Sequence, residues 1–416
     1  MQRRTILKAA AAAVLGIAAT GAPIQAQQPP IKIGMSMAQT GGLAGGGKSS
    51  LLGIEIWRDD VNAKGGLLGR KVELVVYDDK SSASETPAIY SKLLDVDKVD
   101  FLFGPYATVP SAPLMPMVKQ RGLLFMGNFG FQLNHVVKHD MFFNNGPWGP
   151  ADSWARGFIE IGMKAGGKSI AILAADQEFA QHIAKTAKAV AAEKSVPVVY
   201  EQNYPPNTVE FSAMLRAVRS TKPDMVFIAS YPPESVAILR GVNEIGVGDN
   251  VKILGGGMVG LQFASIMESL GSLMNGVVNY NSWLPEPSMQ FAGTKEFLDK
   301  YAKRAVEAKV DPLGYYLPPF GYAMGQMLEA AVIATKGLDQ KAIAKYLREN
   351  EHQTIVGPIS FSEDGERKVS ATLLAQFRGV ADKNIEQFRN PGKQVIVFPE
   401  RLRTGEIIVP YEAARK

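Results

Sequence analysis

Residues 60–79 read DVNAKGGLLGRKVELVVYDD, and this segment gives the clearest indication of the fold class. Its first residues end a helical pattern, because apolar side chains recur every three or four positions through residues 50–64 and stop at Gly65-Gly66. The apolar run at 72–77 follows, and its valines and tyrosine favour a strand that ends at Asp78-Asp79. A helix, a glycine turn and a strand in this order predict one step of an alternating α/β chain.

The alternation continues outward from this stretch. The first series predicts strands at 32–35, 72–77, 100–103 and 123–126, with helices at 50–64, 84–95 and 112–121. A second series predicts strands at 169–174, 196–200, 225–229 and 251–254, with helices at 178–193, 211–220 and 235–245. The remainder predicts helices at 294–307, 320–335 and 340–350 and strands within 369–377 and 395–398. The predicted class is α/β, with two doubly wound parallel-sheet lobes.

Segments rich in proline and glycine are predicted to carry the chain between these lobes. They lie at 146–150, 283–287 and 356–358, so the lobes are joined by a three-crossover hinge. The predicted first lobe comprises 30–147 and 284–357, and the predicted second lobe comprises 148–283 and 358–416. Ligands of open α/β sheets sit beyond the carboxyl ends of the strands, so we expect a binding cleft between the lobes.

The N-terminus has the pattern of an export leader. Residues 1–26 begin with Arg3-Arg4, continue through a short apolar run and end in small residues, with a predicted cut after Ala26. The apolar run is too short for a permanent membrane span. The paired arginines followed by Leu7-Lys8 favour a twin-arginine signal over an ordinary secretory one. Either signal predicts a periplasmic protein that is soluble after the leader is removed.

Composition excludes several classes of function. The formal charge of +5 falls to about +2 without the leader, and no basic run carries interleaved aromatic residues, so nucleic acid is not an expected partner. The chain has no cysteine, which excludes disulfides and thiolate chemistry. His135 and His139 have the spacing of two metal ligands, but no third ligand is placed to join them. We therefore predict neither a metal nor a cofactor.

One motif points to a different class. Residues 42–49, GLAGGGKS, match the phosphate-binding pattern GxxxxGK[ST] between a strand and a helix. An exported nucleotide-binding enzyme is therefore an alternative, although the periplasm holds no ATP pool. The simpler interpretation is a glycine loop whose N–H groups approach an anionic ligand. No catalytic set of side chains accompanies the motif, so the chain is not expected to be an enzyme.

Short motifs spread over the chain resemble those of one protein family. They are Ile33-Gly34, Gly41-Gly42, DVNAKGG at 60–66, Gly69, YDD at 77–79, Gly104-Pro105-Tyr106, DQEF at 176–179, DMV at 224–226, YPPE at 231–234 and Ile245-Gly246. The chain resembles the Leu/Ile/Val-binding family of periplasmic solute-binding proteins, which have the type I periplasmic binding fold. The resemblance implies a ligand-capturing component of an ABC importer, acting as a monomer with a permease in the inner membrane.

The resemblance also implies which residues bind the ligand. The loop after the third strand contributes Tyr106, Ala107 and Thr108, and the next loop contributes Phe129, Gly130 and Phe131. The second lobe contributes Phe179, Tyr231, Gly257 and Met258. The loop after the first strand adds Gln39, Thr40 and Gly41, because it also follows the carboxyl end of a strand.

Departures from the family pattern suggest a ligand. Amino-acid binders of this family place a carboxylate where this chain has Gly257, and hydroxyls where it has Phe179 and Gly130. A buried ammonium without an anionic partner is costly. The prediction is a small carboxylate, aromatic or branched. A branched-chain amino acid or an amide is the alternative ligand, and a sensing role in which the closed form meets a receptor is an alternative to transport.

Overall fold

The computed structural model describes residues 28–150 and 152–416, so the predicted leader at 1–26 lies outside the described residues. The strands are β1 Ile31–Met37, β2 Val72–Asp78, β3 Phe101–Tyr106, β4 Phe125–Asn128, β5 Phe142–Asn145, β6 Ile170–Ala175, β7 Val198–Tyr204, β8 Met225–Ser230, β9 Ile253–Met258, β10 Val278–Asn281, β11 His352–Thr354, β12 Gly357–Ile359, β13 Leu373–Phe377 and β14 Gln394–Phe398. The helices are α1 Ala44–Ala63, α2 Thr86–Asp95, α3 Thr108–Ser111, α4 Met115–Gln120, α5 Asn134–Val137, α6 Ser153–Lys164, α7 Glu178–Glu193, α8 Ser212–Thr221, α9 Pro232–Ile245, α10 Ala264–Leu270, α11 Thr294–Ala308, α12 Pro318–Thr335, α13 Gln340–Glu349 and α14 Tyr411–Ala414.

The first lobe is built on a parallel sheet with the strand order β2-β1-β3-β4-β5. Its register runs from Ile31 opposite Val72 to Met37 opposite Asp78, so the strand predicted from the opening stretch pairs with β1 over its full length. Helix α12 packs along α1, and α11 and α13 pack beside them. The helices after the second crossover therefore return to the first lobe.

The second lobe is built on a seven-stranded sheet with the order β14-β13-β10-β9-β8-β6-β7. Strands β6 to β10 run parallel, whereas β13 runs antiparallel to both β10 and β14. Two sheets of this kind confirm the predicted α/β class with doubly wound lobes. Within the described ranges, none of the helices combines the length and apolar character needed to cross a bilayer.

The fifth strand of the first sheet was not predicted. Strand β5 has only four residues, two of them asparagines, and such a run lacks the apolar signal of a buried strand. Its edge is covered because the Asn144 N–H donates to the carbonyl of Gly365 at 2.8 Å. The segment around Gly365 therefore belongs with the first lobe.

The third predicted crossover is wrong. Residues 356–358 form part of the β11–β12 hairpin, in which Thr354 faces Gly357. The chain leaves the first lobe later, because Asn134 Nδ2 still donates to the Asp364 carbonyl at 2.7 Å. We call residues 366–372, which precede the start of β13 in the second sheet, the third crossover. Proline and glycine mark a hairpin turn and an interlobe crossover equally well, so their presence could not distinguish the two. The chain passes from the first sheet to the second after β5, and it leaves the second sheet again after β10.

Candidate ligand-binding site

A narrow cavity, with a free volume of about 20 Å³ in this closed form, lies between the lobes, beyond the carboxyl ends of strands from both sheets. The lining residues are Tyr106, Ala107, Thr108, Phe129, Trp148, Phe179, Tyr231, Val259, Tyr280 and Tyr316. Each of them is at most 8% exposed, so the lobes are closed over the cavity. A ligand can therefore enter only when the lobes separate. We call this space the central cavity.

The first wall follows β3 and β4. Tyr106 is the last residue of β3, and Ala107 then adopts φ +81° and ψ 166°, a conformation in which a residue with a Cβ is strained. The turn is held from both sides, because the Ala107 N–H donates to the Asn128 carbonyl at 3.1 Å and Ser111 Oγ donates to the Ala107 carbonyl at 2.7 Å. These bonds place Thr108 at the cavity.

Phe129 is the central ring of this wall. It follows β4 with φ +58°, which turns its side chain out of the strand direction and into the interlobe space. Its ring lies edge to face with those of Trp148 at 5.1 Å, Tyr316 at 5.2 Å and Phe320 at 5.0 Å between centroids. Such geometry is favourable for aromatic pairs and gives a rigid wall.

The opposite wall comes from the second lobe. Phe179 lies in the first turn of α7, Tyr231 directly precedes α9, and their rings are 6.0 Å apart between centroids. Val259 follows the end of β9, and Tyr280 lies within β10. Loops and helix starts at the ends of neighbouring parallel strands meet at one edge of the sheet, which brings these side chains together.

Four phenol groups give the cavity its polar character. The Tyr280 and Tyr316 hydroxyls are 2.6 Å apart, and the Tyr106 hydroxyl lies beside that of Tyr316. The Tyr231 hydroxyl is buried without a hydrogen-bond partner among the described residues. Burial raises the pKa of all four tyrosines above its ordinary value, so each hydroxyl keeps its proton and can donate.

Thr108 adds a further hydroxyl. Its Oγ1 accepts a hydrogen bond from the Phe131 N–H at 2.9 Å, and its hydroxyl hydrogen can rotate toward a ligand. None of the described residues that line the cavity carries a charged side chain. The site therefore offers aromatic faces and neutral hydrogen-bond donors, with no carboxylate to hold a cation and no lysine or arginine to hold an anion.

Comparison with known proteins identifies the family. The periplasmic binding protein family matches residues 30–383. The chain belongs to this family. The Leu/Ile/Val-binding protein of Escherichia coli (strain K12) is 24% identical over 81% of this chain and 88% of its own length. Proteins of this family bind small molecules and work with the permeases of ABC transporters.

Solved structures share the fold of this periplasmic binding protein. The isoleucine complex of the branched-chain amino acid transporter substrate binding protein from Streptococcus pneumoniae has a TM-score of 0.71 and 19% identity, covering 84% of this chain and 96% of that one. The benzoate complex of an ABC transporter solute binding protein from R. palustris has a TM-score of 0.71 and 18% identity, covering 88% and 95%.

Six of the thirteen residues predicted for the site line the central cavity. They are Tyr106, Ala107, Thr108, Phe129, Phe179 and Tyr231. The loop predicted from the first strand lies elsewhere, because the Asp78 carboxylate accepts hydrogen bonds from the N–H groups of Gln39 at 2.9 Å and Thr40 at 3.2 Å. These contacts tie Gln39, Thr40 and Gly41 to the end of β2 and away from the cavity.

Gly130 and Phe131 support the cavity without lining it. The Gly130 carbonyl accepts hydrogen bonds from Trp148 Nε1 at 3.1 Å and from Asn144 Nδ2. The Phe131 ring is fully buried and packs against those of Trp148 and Phe179. Gly130 and Phe131 therefore hold Trp148, a lining residue, in place.

Gly257 and Met258 lie inside the second sheet, which corrects the prediction. Gly257 is paired with Ala229 in the interior of β9, and a Cβ at this position would overlap Ile183 Cδ1. Met258 is fully buried, and its backbone makes two hydrogen bonds with the Asn279 side chain. A carboxylate at position 257 would not reach the cavity. Whether the cavity holds an acidic group therefore depends on its lining residues alone.

The glycine run also differs from the prediction. Helix α1 begins at Ala44, so Gly45, Gly46 and Gly47 form its first turn and no open loop surrounds a phosphate. The glycines permit close packing, because a Cβ at Gly46 would lie 2.5 Å from the Tyr106 ring and one at Gly47 would overlap the Ala38 carbonyl. Both the phosphate-binding loop and the anion-binding glycine loop are therefore absent from residues 42–49.

Four residues that line the cavity were not predicted from the sequence. Trp148 lies in the first crossover, Tyr280 in β10, Tyr316 just before α12, and Val259 just after β9. A bulky tryptophan between Gly146-Pro147 and Gly149-Pro150 was the one available signal, since such segments seldom need a large side chain. Tyr280 and Tyr316 had no signal, because an isolated tyrosine is more often part of the core.

Proposed function

We propose that this periplasmic binding protein captures a small aromatic carboxylate in the central cavity and delivers it to an ABC importer in the inner membrane. The observation that carries the proposal is a cavity wall of aromatic rings and neutral hydroxyl donors without a charged side chain. Branched carboxylates are the nearest alternative in the same chemical class.

The ring-lined walls of the cavity support a flat ligand with one ring. The free space of about 20 Å³ in this closed form is far below the roughly 300–1,000 Å³ of small-molecule pockets, so a bound ligand must hold the two walls further apart than they stand here. The rings of Phe129, Trp148 and Phe179 offer faces and edges to a flat apolar ligand. Burying such a ring between them contributes favourable free energy in proportion to the apolar area removed from water.

The hydroxyl groups support a carboxylate at one end of that ring. A carboxylate has about four acceptor sites, and a phenol that donates to an ionised oxygen makes a stronger hydrogen bond than one that donates to a neutral one. The Tyr231 hydroxyl is buried without a partner among the described residues, and such a group costs free energy until it is paired. A ligand carboxylate near Tyr231 would satisfy that donor.

A branched-chain amino acid is the second candidate. The names of the Escherichia coli relative and the Streptococcus pneumoniae complex favour it, whereas the R. palustris complex with benzoate favours the first. An amino acid adds an ammonium group, and the described lining holds no carboxylate to pair with it. Burying an unpaired ammonium is costly, so the aromatic carboxylate is the better fit.

Delivery requires the lobes to open and close. We propose a first lobe of 30–147 with 284 onward to the third crossover, and a second lobe of 148–283 with the remainder of the chain. The crossovers would act as the hinge. Closure buries the cavity walls almost completely, and a closed, ligand-bound form is the state that a permease would recognise.

Isothermal titration calorimetry on the protein without its leader tests the proposal with matched ligands. Benzoate and benzamide differ in charge, and 4-methylpentanoate and leucine differ by one ammonium. We expect benzoate to bind at least about tenfold more tightly than benzamide, and 4-methylpentanoate more tightly than leucine. Tight binding of leucine with none of benzoate would overturn the proposal in favour of an amino-acid carrier, and binding of ATP alone would overturn both.

Tyr231→Phe tests the role assigned to the unpaired hydroxyl. We expect a loss of about tenfold in benzoate affinity, because one charge-assisted hydrogen bond disappears while the ring stays. Tyr346→Phe is the matched control, since that residue lies on α13 and does not line the cavity. An equal affinity of the Tyr231→Phe protein and the wild type would place the carboxylate elsewhere.

A further inference from the structure

A larger cavity lies at the hinge. Its free volume is about 350 Å³, and it lies where the second and third crossovers meet the β11–β12 hairpin and the segment after β14. The lining residues are Ser282, Ser288, Met289, Phe291, Glu351, Val356, Pro358, Ser360, Arg367, Val369, Ser370, Ala371, Arg401 and Leu402. We call it the hinge cavity, and it shares no lining residue with the central cavity.

Arg367 is the unusual group in this cavity. Its side chain is almost fully buried at 5% exposed. One nitrogen, Nη2, donates to the Pro358 carbonyl at 2.9 Å, but Nη1 has no hydrogen-bond partner among the described residues. A buried cation with an unsatisfied donor costs free energy unless an anion compensates it. Burial and the nearby Arg401 accordingly lower the pKa of Arg367 to about 10.

Arg401 brings a second guanidinium to the same space from the other lobe. Its Nη2 reaches the Ser370 carbonyl only at 3.5 Å, so most of its donors remain available. Ser282 adds a buried hydroxyl that also lacks a partner among the described residues. Two guanidinium groups and hydroxyl donors around one cavity are the set that proteins use to hold phosphate and carboxylate groups.

No carboxylate among the described residues forms an ion pair with these cations. Glu351 is the single carboxylate among the described lining residues, and it is exposed and forms no ion pair with either arginine. Glu400, next to Arg401, pairs instead with Arg403 at 3.0 Å. Glu366, next to Arg367, points the other way and accepts a hydrogen bond from Asn144 at 2.7 Å. The cavity therefore keeps an excess of positive charge.

We propose that the hinge cavity is a second binding site, for a small oxyanion that carries a phosphate or carboxylate group and is held by Arg367 and Arg401. The anion would pair with the orphaned Nη1 of Arg367 and with the fork of Arg401, and it would accept hydrogen bonds from the serine hydroxyls. Because Arg367 comes from the third crossover and Arg401 follows β14, the ion would connect the hinge to the second lobe.

Calorimetric titration of the protein without its leader tests this site, with inorganic phosphate, sulfate and citrate as separate probes at fixed ionic strength. We expect 1:1 binding of at least one of them. Arg401→Gln should weaken it at least about tenfold, because a charged donor pair is lost. Arg403→Gln is the matched control, since Arg403 is paired with Glu400 and Glu406 and does not line the cavity, and its affinity should stay within about twofold.

Two further variants keep the test decisive. Arg367→Met should abolish binding, and without anion it should unfold at a temperature no lower than the wild type, because an uncompensated buried charge is removed. Tyr231→Phe should leave oxyanion binding unchanged, which separates this site from the central cavity. Preference for phosphate or sulfate over citrate would identify a phosphate-type ligand, and the reverse a carboxylate. Absence of binding by all three probes, or full binding by Arg401→Gln, would overturn the proposal.

Discussion

The central cavity and the hinge cavity offer different groups to an anionic ligand. The central cavity offers neutral hydroxyl donors among aromatic rings, and its described lining holds no charged side chain. The hinge cavity offers two guanidinium groups, one of them buried and only partly satisfied. Leaving a neutral hydroxyl without its ligand costs little free energy when the lobes open, because water can replace the ligand. A buried cation costs free energy whenever its anion is absent.

The difference suggests distinct roles for the two cavities. A carrier must release its ligand, and hydrogen bonds from phenols can be exchanged for water when the walls separate. A pair of arginines at a hinge holds an ion through Coulomb attraction, which is screened less at the buried Arg367 than at the exposed Arg401. We therefore expect the central cavity to bind reversibly and selectively, and the hinge cavity to bind by charge.

The largest change in ligand affinity is expected from a charge placed in the central cavity. Val259→Asp places a carboxylate in the wall opposite Phe129, at a position that is 5% exposed. At a pH high enough to ionise this buried carboxyl, we expect benzoate to bind about 100-fold more weakly, a difference of about 2.7 kcal/mol, because two buried anions repel. Calorimetry measures this directly.

Val259→Asn is the matched control, since asparagine has nearly the same shape without the charge. It should lose less than about tenfold in benzoate affinity. If the two variants bind benzoate equally, the carboxylate of the ligand does not lie near this wall. A gain in leucine affinity by the Val259→Asp protein would sharpen the comparison, because the new acid would supply the missing partner for an ammonium.

The second prediction concerns Glu366 and its pH dependence. Burial raises the pKa of the Glu366 carboxyl to about 8, whereas its ordinary value is 4.5. The folded protein therefore binds more protons than the unfolded chain between these values, and the stabilisation from Glu366 is fully present below pH 4.5 and is lost as the pH rises to 8. The unfolding free energy changes through this one carboxyl by at most about 1.4 kcal/mol per pH unit.

Glutamine does not titrate, so Glu366→Gln should remove this pH dependence. The unfolding free energy of the variant minus that of the wild type should therefore rise from pH 5 to pH 8. Urea unfolding at several pH values measures it, and the subtraction cancels the histidines that titrate in the same range. The exposed Glu363, replaced by glutamine, is the control and should leave the pH profile unchanged. A flat difference would mean that Glu366 is ionised in the folded protein.

The smallest effect is expected at Ala107, in the wall of the central cavity. Its φ of +81° and ψ of 166° lie in a region that is essentially restricted to glycine. Ala107→Gly should stabilise the protein by about 1 kcal/mol in urea unfolding, because the strain is relieved. Ala112→Gly, at an ordinary helical φ of −55°, should have the opposite sign. Destabilisation by both would show that the turn at 107 is not strained.

The alternation of strands and helices could be predicted from the sequence. The helix at 178–193 was predicted to the residue as Glu178–Glu193, and the strand at 72–77 extends by one residue. These signals are local, because apolar periodicity and glycine stops act within a few residues. Tyr106, Ala107, Thr108 and Phe129 were expected at the site from the family resemblance, and they lie at or just after the ends of β3 and β4.

The rest of the site depends on contacts between residues far apart in the sequence. Tyr280 and Tyr316 lie 36 residues apart along the chain and meet at 2.6 Å because β10 and the start of α12 come from different lobes. Gly257 was misplaced because a strand end and a strand interior differ by one residue, which sends a side chain to the other face of the sheet. The hinge cavity is formed by the crossovers, and their path depends on how the two lobes pack. Local sequence patterns do not predict that packing.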